Sequence, residues 1–260
     1  MNPTSDTPPP IPEKTETPLD SSLRGLFEGL LRHPQQLAGH PLLSQPSNLA
    51  RFALLAVLAI LVFGFVLGTF AWQEQVWVAP VKLGGGLLFA GLICYPSLYI
   101  FSCLAGSSAS AVRLAGILGG MLALAGLLLL GFAPAVWIFT QGTTSFGFMG
   151  TLAVGSWLVA FVFAGRFLAQ ALKVNGATQK GPIAIWSIIF LLVTLQLTTT
   201  LRPILGTSDR FMTTEKKFFL QHWGDTFDAS LQPPPPKEAA APARTPVEPG
   251  GTVENPYLER

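Results

Sequence analysis

Apolar and polar residues fall along this chain in long blocks, not in the short periods of a soluble domain. Five blocks carry about twenty mostly apolar residues each, the length a helix needs to cross the hydrocarbon core of a bilayer. They cover about 52–71, 83–104, 114–139, 146–165 and 183–201. The first is uncharged after Arg51, and the third is uncharged throughout and long enough to tilt. The fourth ends at Arg166, and the fifth is closed by Arg202 and Pro203. Short loops join them, and no internal repeat is visible. The pattern predicts an all-α fold: a polytopic membrane helix bundle with five transmembrane helices within residues 49–206.

The flanks read differently. Residues 1–19 are rich in Pro, Thr and acid and are expected to stay disordered, because they have too little apolar surface to fold. In the 20–48 segment, Leu23, Leu26, Phe27, Leu30 and Leu31 recur at helical spacing. Asp20 to Ser22 offer N-caps and Pro34 a stop. This helix is too short to span, so it is expected to lie along the membrane surface with Arg24 and Arg32 toward headgroups, followed by a linker. Residues 207–231 repeat the idea, with Leu220, Trp223, Phe227 and Leu231 in one helical stripe. Residues 232–260 form a Pro/Ala-rich tail that is expected to be disordered.

Composition sharpens this picture. Half of the residues are hydrophobic and 12% are charged, against roughly a quarter charged in an ordinary soluble domain. No Asp or Glu occurs between Glu74 and Asp209, and His33, His40 and His222 all lie outside that interval. Only Lys82, Arg113, Arg166, Lys173, Lys180 and Arg202 carry charge within it. The N-terminus lacks the cationic start and apolar core of a signal peptide, so the first apolar block is expected to be a retained span. Arg51, Arg113, Arg166, Lys173 and Lys180 would share the N-terminal side, which predicts a cytoplasmic N-terminus. Arg210, Lys216 and Lys217 on the other side pull against that assignment.

Proton relays, aspartyl or serine catalysis and metal sites all need groups that the five blocks lack. No catalytic residue, metal site or cofactor is therefore expected. Cys94 and Cys103 stand on opposite faces of a helix, more than about 13 Å apart, too far to pair. Both read as small buried hydrophobes. Trp72, Trp77, Trp137 and Trp186 lie near block ends and read as interfacial anchors.

The mild polar groups remain. In "ICYPSLYIFSCL", Tyr95, Tyr99 and Ser102 share a face, and Pro96 predicts a bend. This stripe could line a solute path. The preferred reading is a bend held by hydrogen bonds between helices. Gly64 with Gly68 and Gly116 with Gly120 are GxxxG pairs that allow close helix approach. Arg202, beside Thr198 and Thr200, is a candidate contact for an anion or lipid phosphate, because guanidinium matches phosphate geometry. Arg166 with Gln170 is a second such candidate.

Three fragments, "CYPSLYIF", "APAVWIF" and "LRPILG", together with "LFEGLLRHP", resemble a bacterial group of five-helix membrane proteins loosely placed with the Yip1-like superfamily. The likeness covers roughly residues 23–225. It implies five spans, a cytosolic N-terminus and a bacterial cytoplasmic (inner) membrane, and implies no catalytic residues. The acidic Gly-Pro element of eukaryotic Yip1-like proteins is not found near the first block.

The sequence therefore predicts a non-catalytic membrane-organising or complex-scaffolding protein. Its expected partners are membrane lipids with anionic headgroups and a membrane-protein partner or a second copy, not nucleic acid. The alternative is a transporter or channel for an anionic or lipid-like solute.

Overall fold

The computed structural model describes residues 20–71 and 78–200, and all of their regular structure is helical. Two short helices, α1 (Leu23–Arg32) and α2 (Pro34–Gly39), lead through a 3-10 turn at Pro41–Ser44 into α3 (Pro46–Gly68). Four more helices follow: α4 (Val78–Leu104), α5 (Ala111–Gly142), α6 (Phe146–Val174) and α7 (Gly181–Thr200). Pro34, Pro41 and Pro46 each stand in a first turn, where the missing N–H is no loss. The Ser22, Ser110 and Ser145 hydroxyls accept from Gly25, Arg113 and Phe148 N–H and cap α1, α5 and α6.

Four helices are long and apolar enough to cross a membrane: Pro46–Gly68, Ala79–Leu104, Ala111–Gly142 and Gly147–Val174. The described apolar stretch of α7, Gly181–Leu197, is shorter. The long helices begin or end several residues beyond the sequence blocks. α4 starts at Val78 instead of 83, α5 gains a turn or nearly so at each end, and α6 continues to Val174. Polar and charged helix ends carry no hydropathy signal, which is why the blocks of α5 and α6 stop early.

α5 is the axis of the bundle. Every residue from Gly116 to Leu127 on it is buried. α3, α4 and α6 pack around it, and α7 lies mainly on α4. The outer faces keep large apolar side chains exposed, among them Leu58 on α3, Leu92 on α4, Val162 on α6 and Ile188 on α7. An apolar girdle on long helices is the surface of a multi-pass membrane protein.

On the side where the chain enters, two loops interlock. α4 and α6 each end in a Schellman turn. Gly106 and Gly176 take φ of 87° and 93°, and Ser107 N–H and Ala177 N–H reach back to the Ser102 and Leu172 carbonyls. The two turns then bond each other, through Ser108 N–H to Asn175 O at 2.9 Å and Thr178 N–H to Ala105 O at 2.9 Å. The α4–α5 and α6–α7 hairpins are thereby joined at one end.

Three expectations are corrected here. α1 does not offer its whole apolar face to a surface: Leu26 and Leu30 are fully buried in the bundle core, while Leu23, Phe27 and Leu31 stay about two-fifths exposed. The stretch read as a linker contains α2 and the 3-10 turn, whose Leu37, Ala38, Leu42 and Leu43 join the same core. Trp186 is no interfacial anchor, since it is fully buried against α4.

Candidate functional site

The polar groups of the bundle gather in two places, and each is built where one helix meets another. The first surrounds Pro96 in α4, which runs as helix through that residue. The Trp186 indole of α7 points into this region and donates from Nε1 to the Cys94 carbonyl at 3.2 Å and to Ser97 Oγ at 3.1 Å. Ser97 Oγ itself donates to the Cys94 carbonyl at 2.8 Å. Behind the indole, aromatic rings stack from α7 across to α6: Trp186 on Phe190 at 5.2 Å, Phe190 on Phe161 at 5.9 Å, and Phe161 on Trp157 at 5.3 Å. This stack fills the space between α6 and α7, whose backbones approach each other little.

The predicted stripe divides around this lock. Tyr95 donates from its hydroxyl to the Ala111 carbonyl at 2.8 Å, linking α4 to the first turn of α5. Ser102 is buried and donates to the Tyr99 carbonyl within its own helix, while Tyr99 is exposed. Tyr95, Tyr99 and Ser102 share a helical face without sharing an environment. Cys94 is buried and Cys103 exposed, so only one of the two is a packed hydrophobe.

The second gathering ties the N-terminal elements to the bundle. Asn48 is fully buried and donates from Nδ2 to the Leu42 carbonyl and to Gln45 Oε1, both at 3.1 Å. Arg51 donates from one Nη1 to Asn48 Oδ1 at 2.6 Å and to the Ser21 carbonyl at 2.7 Å. Arg113, on α5, reaches Ser44 Oγ at 3.0 Å and the Gly39 carbonyl at 3.1 Å. Nearby, hydrogen bonds with Ser22 hold the exposed Asp20 carboxyl below the usual aspartate range.

The glycines show how tightly these pieces meet. A Cβ on Gly116 would overlap the Leu43 carbonyl, and one on Gly120 would press on the Phe167 ring at 3.0 Å. At Gly64 the obstacle is the Pro80 Cα of α4 at 2.6 Å. Gly68 is buried as well. At Gly126, which the spacing rule missed, an added Cβ would meet the Ala56 carbonyl oxygen at 3.1 Å.

Of the candidate anion contacts, Arg166 and Gln170 are exposed on the outer face of α6, and the Arg166 guanidinium lies over the Phe163 ring at 5.5 Å. Arg202, Trp72, Trp77, the 207–231 segment and both tails lie outside the described residues. Lys82 is 3% exposed, the one buried cationic side chain among the described residues. No group of three or more His, Cys, Asp or Glu that could hold a metal occurs among the described residues.

Sequence reasoning missed Trp186, Ser97, Asn48 and Arg113 as structural locks. Periodicity could have flagged Asn48 and Arg113 as polar residues at otherwise apolar block entries. Nothing local marks Trp186. No known protein family, curated protein or solved structure matches this chain.

Proposed function

We propose that this chain is an integral membrane protein with five spans that organises the membrane or holds a partner complex without catalysing a reaction. The observation that carries this reading is the use of the polar groups. The hydrogen bonds of Trp186 to Cys94 and Ser97, and those of Tyr95, Asn48, Arg51 and Arg113, close on neighbouring helices or turns of the same chain. Polar groups used in this way hold a shape.

In this reading α7, Gly181–Thr200, is the fifth span. The side that carries α1, α2 and the interlocked loops faces the cytoplasm, supported by Arg51, Arg113, Arg166, Lys173 and Lys180 near that end. The half-exposed Leu23, Phe27 and Leu31 edge of α1 rests in the headgroup region while Leu26 and Leu30 hold the helix to the bundle. The fragment resemblance supports placing the chain with the bacterial Yip1-like group in a cytoplasmic membrane.

The test is gentle extraction with surrounding lipid, chemical crosslinking and mass spectrometry of what co-purifies. Recovery of one protein, or of a second copy, at near-equal amount is the expected result. If no such partner is recovered, and liposomes holding the chain pass an anion in a manner lost in Arg202→Lys, transport replaces scaffolding as the reading.

A further inference from the structure

The outward face of α6 changes character at one residue. Val159, Val162 and Phe163 are each about half exposed, and the following turns on the same side present Arg166, Gln170 and Lys173, all exposed. Steps of three and four place Phe163, Arg166, Gln170 and Lys173 in one line along the helix. No described carboxylate lies on α6, and the described acidic residues, Asp20 and Glu28, belong to the N-terminal segment. Glu28 is already paired with Arg32 at 3.1 Å.

Depth agrees with this change. Twenty residues separate the start of α6 at Phe146 from Arg166, a rise of about 30 Å, which is the thickness of the hydrocarbon core. With the far boundary at Phe146, Arg166 stands at the near one, with the apolar face on its membrane side and Gln170 and Lys173 on its water side. The guanidinium lies over the Phe163 ring at 5.5 Å. The aromatic face attracts the cation and favours this placement of its fork of N–H donors.

We infer that Arg166, Gln170 and Lys173 form a binding site for the headgroup phosphate of an anionic phospholipid, whose acyl chains lie along Val159, Val162 and Phe163. Arg166 supplies paired N–H donors to the phosphate oxygens, Gln170 donates from its amide, and Lys173 adds a second positive charge above the headgroup. An apolar stretch that continues directly into a basic cluster matches a lipid better than a free phosphate, which would gain nothing from the apolar half. The inference rests on the reading that the chain spans a membrane.

The experiment uses the full chain in nanodiscs of equal parts phosphatidylglycerol and phosphatidylcholine, with retained lipids counted by native mass spectrometry after mild delipidation. The wild type is expected to retain phosphatidylglycerol preferentially. Arg166→Gln should lower that preference about five-fold, the change set by about 1 kcal/mol of headgroup attraction per basic residue. Arg166→Lys should fall between the two, since it keeps the charge and loses the fork. Lys173→Gln should weaken retention in the same direction, and Arg24→Gln, on the α1 edge at the headgroups, should lower it clearly less than Arg166→Gln does. Equal preference in wild type and Arg166→Gln, or equal losses in Arg166→Gln and Arg24→Gln, would overturn the site while leaving the membrane reading intact. A chain that stays soluble without detergent would overturn both.

Discussion

The Trp186 indole N–H of α7 donates to the Cys94 carbonyl of α4 at 3.2 Å, two residues before Pro96. The indole is fully buried, and it shares its proton with Ser97 Oγ at 3.1 Å. This contact fixes the height of α7 on α4 and starts the aromatic stack that spans to α6. A residue that looks like a membrane-interface anchor in the sequence is thus the bolt of the bundle's outermost helix.

Trp186→Phe keeps a ring on Phe190 and removes the donor. It should lower stability by about 1 kcal/mol, the usual value of one hydrogen bond between membrane helices. Trp186→Ala also empties the site and should cost about 3–5 kcal/mol. Thermal unfolding in detergent micelles reads both. A Trp186→Phe variant that melts with the wild type would show that the hydrogen bonds contribute nothing.

Gly116 decides whether the N-terminal elements stay docked. Its missing side chain lets the Leu43 carbonyl rest on α5, beside the Arg113 contacts to Ser44 and Gly39. Gly116→Ala should destabilise by about 1–3 kcal/mol, as overpacking does. It should also expose residues 33–45 to protease. Gly131, on the same helix with nothing within 4 Å of an added Cβ, is the control. Gly131→Ala should be neutral or stabilising by about 0.5–1 kcal/mol through helix propensity. Equal protease resistance of Gly116→Ala and wild type would remove Leu43 as the docking contact.

Asp20 gives the docked segment a small acid sensitivity. Hydrogen bonds with Ser22 favour its charged form, so its folded pKa is below the unfolded value. A depressed carboxylate stabilises the fold above its unfolded pKa and loses that contribution as pH falls through the folded one. Asp20→Asn should therefore melt slightly below wild type at neutral pH, and the gap should close as pH drops below about 4. The group is exposed, so the gap should be far smaller than the effect of Gly116→Ala. A gap that persists unchanged at the acid end would mean that the carboxylate charge plays no part.

The helices were legible in the sequence because their signal is local. Apolar runs bounded by Arg51, Arg113 and Arg166, and caps such as Ser22 and Ser110, depend only on neighbouring residues. Gly64, Gly116 and Gly120 were legible for the same reason, since close packing needs a small residue wherever its partner comes from. The polar stripe was only half legible. Spacing placed Tyr95, Tyr99 and Ser102 on one face, yet which of them meets another helix depends on where α5 and α7 lie.

By itself, then, the sequence determined the helical class, the positions of the long apolar helices and the lack of acidic groups between Glu74 and Asp209. These follow from composition and from periods of a few residues. Only the tertiary structure decided that Leu26, Leu30, Leu37, Ala38, Leu42 and Leu43 join the core, that Trp186 locks α7 to α4, and that the α4–α5 and α6–α7 loops bind each other. Each of those contacts joins residues far apart in the chain. Several apolar surfaces on one chain can pair in many ways, and hydropathy is equal for all of them. The choice is made by shape, by a glycine that admits a carbonyl or an indole that finds its acceptor, and shape exists only once the helices are packed.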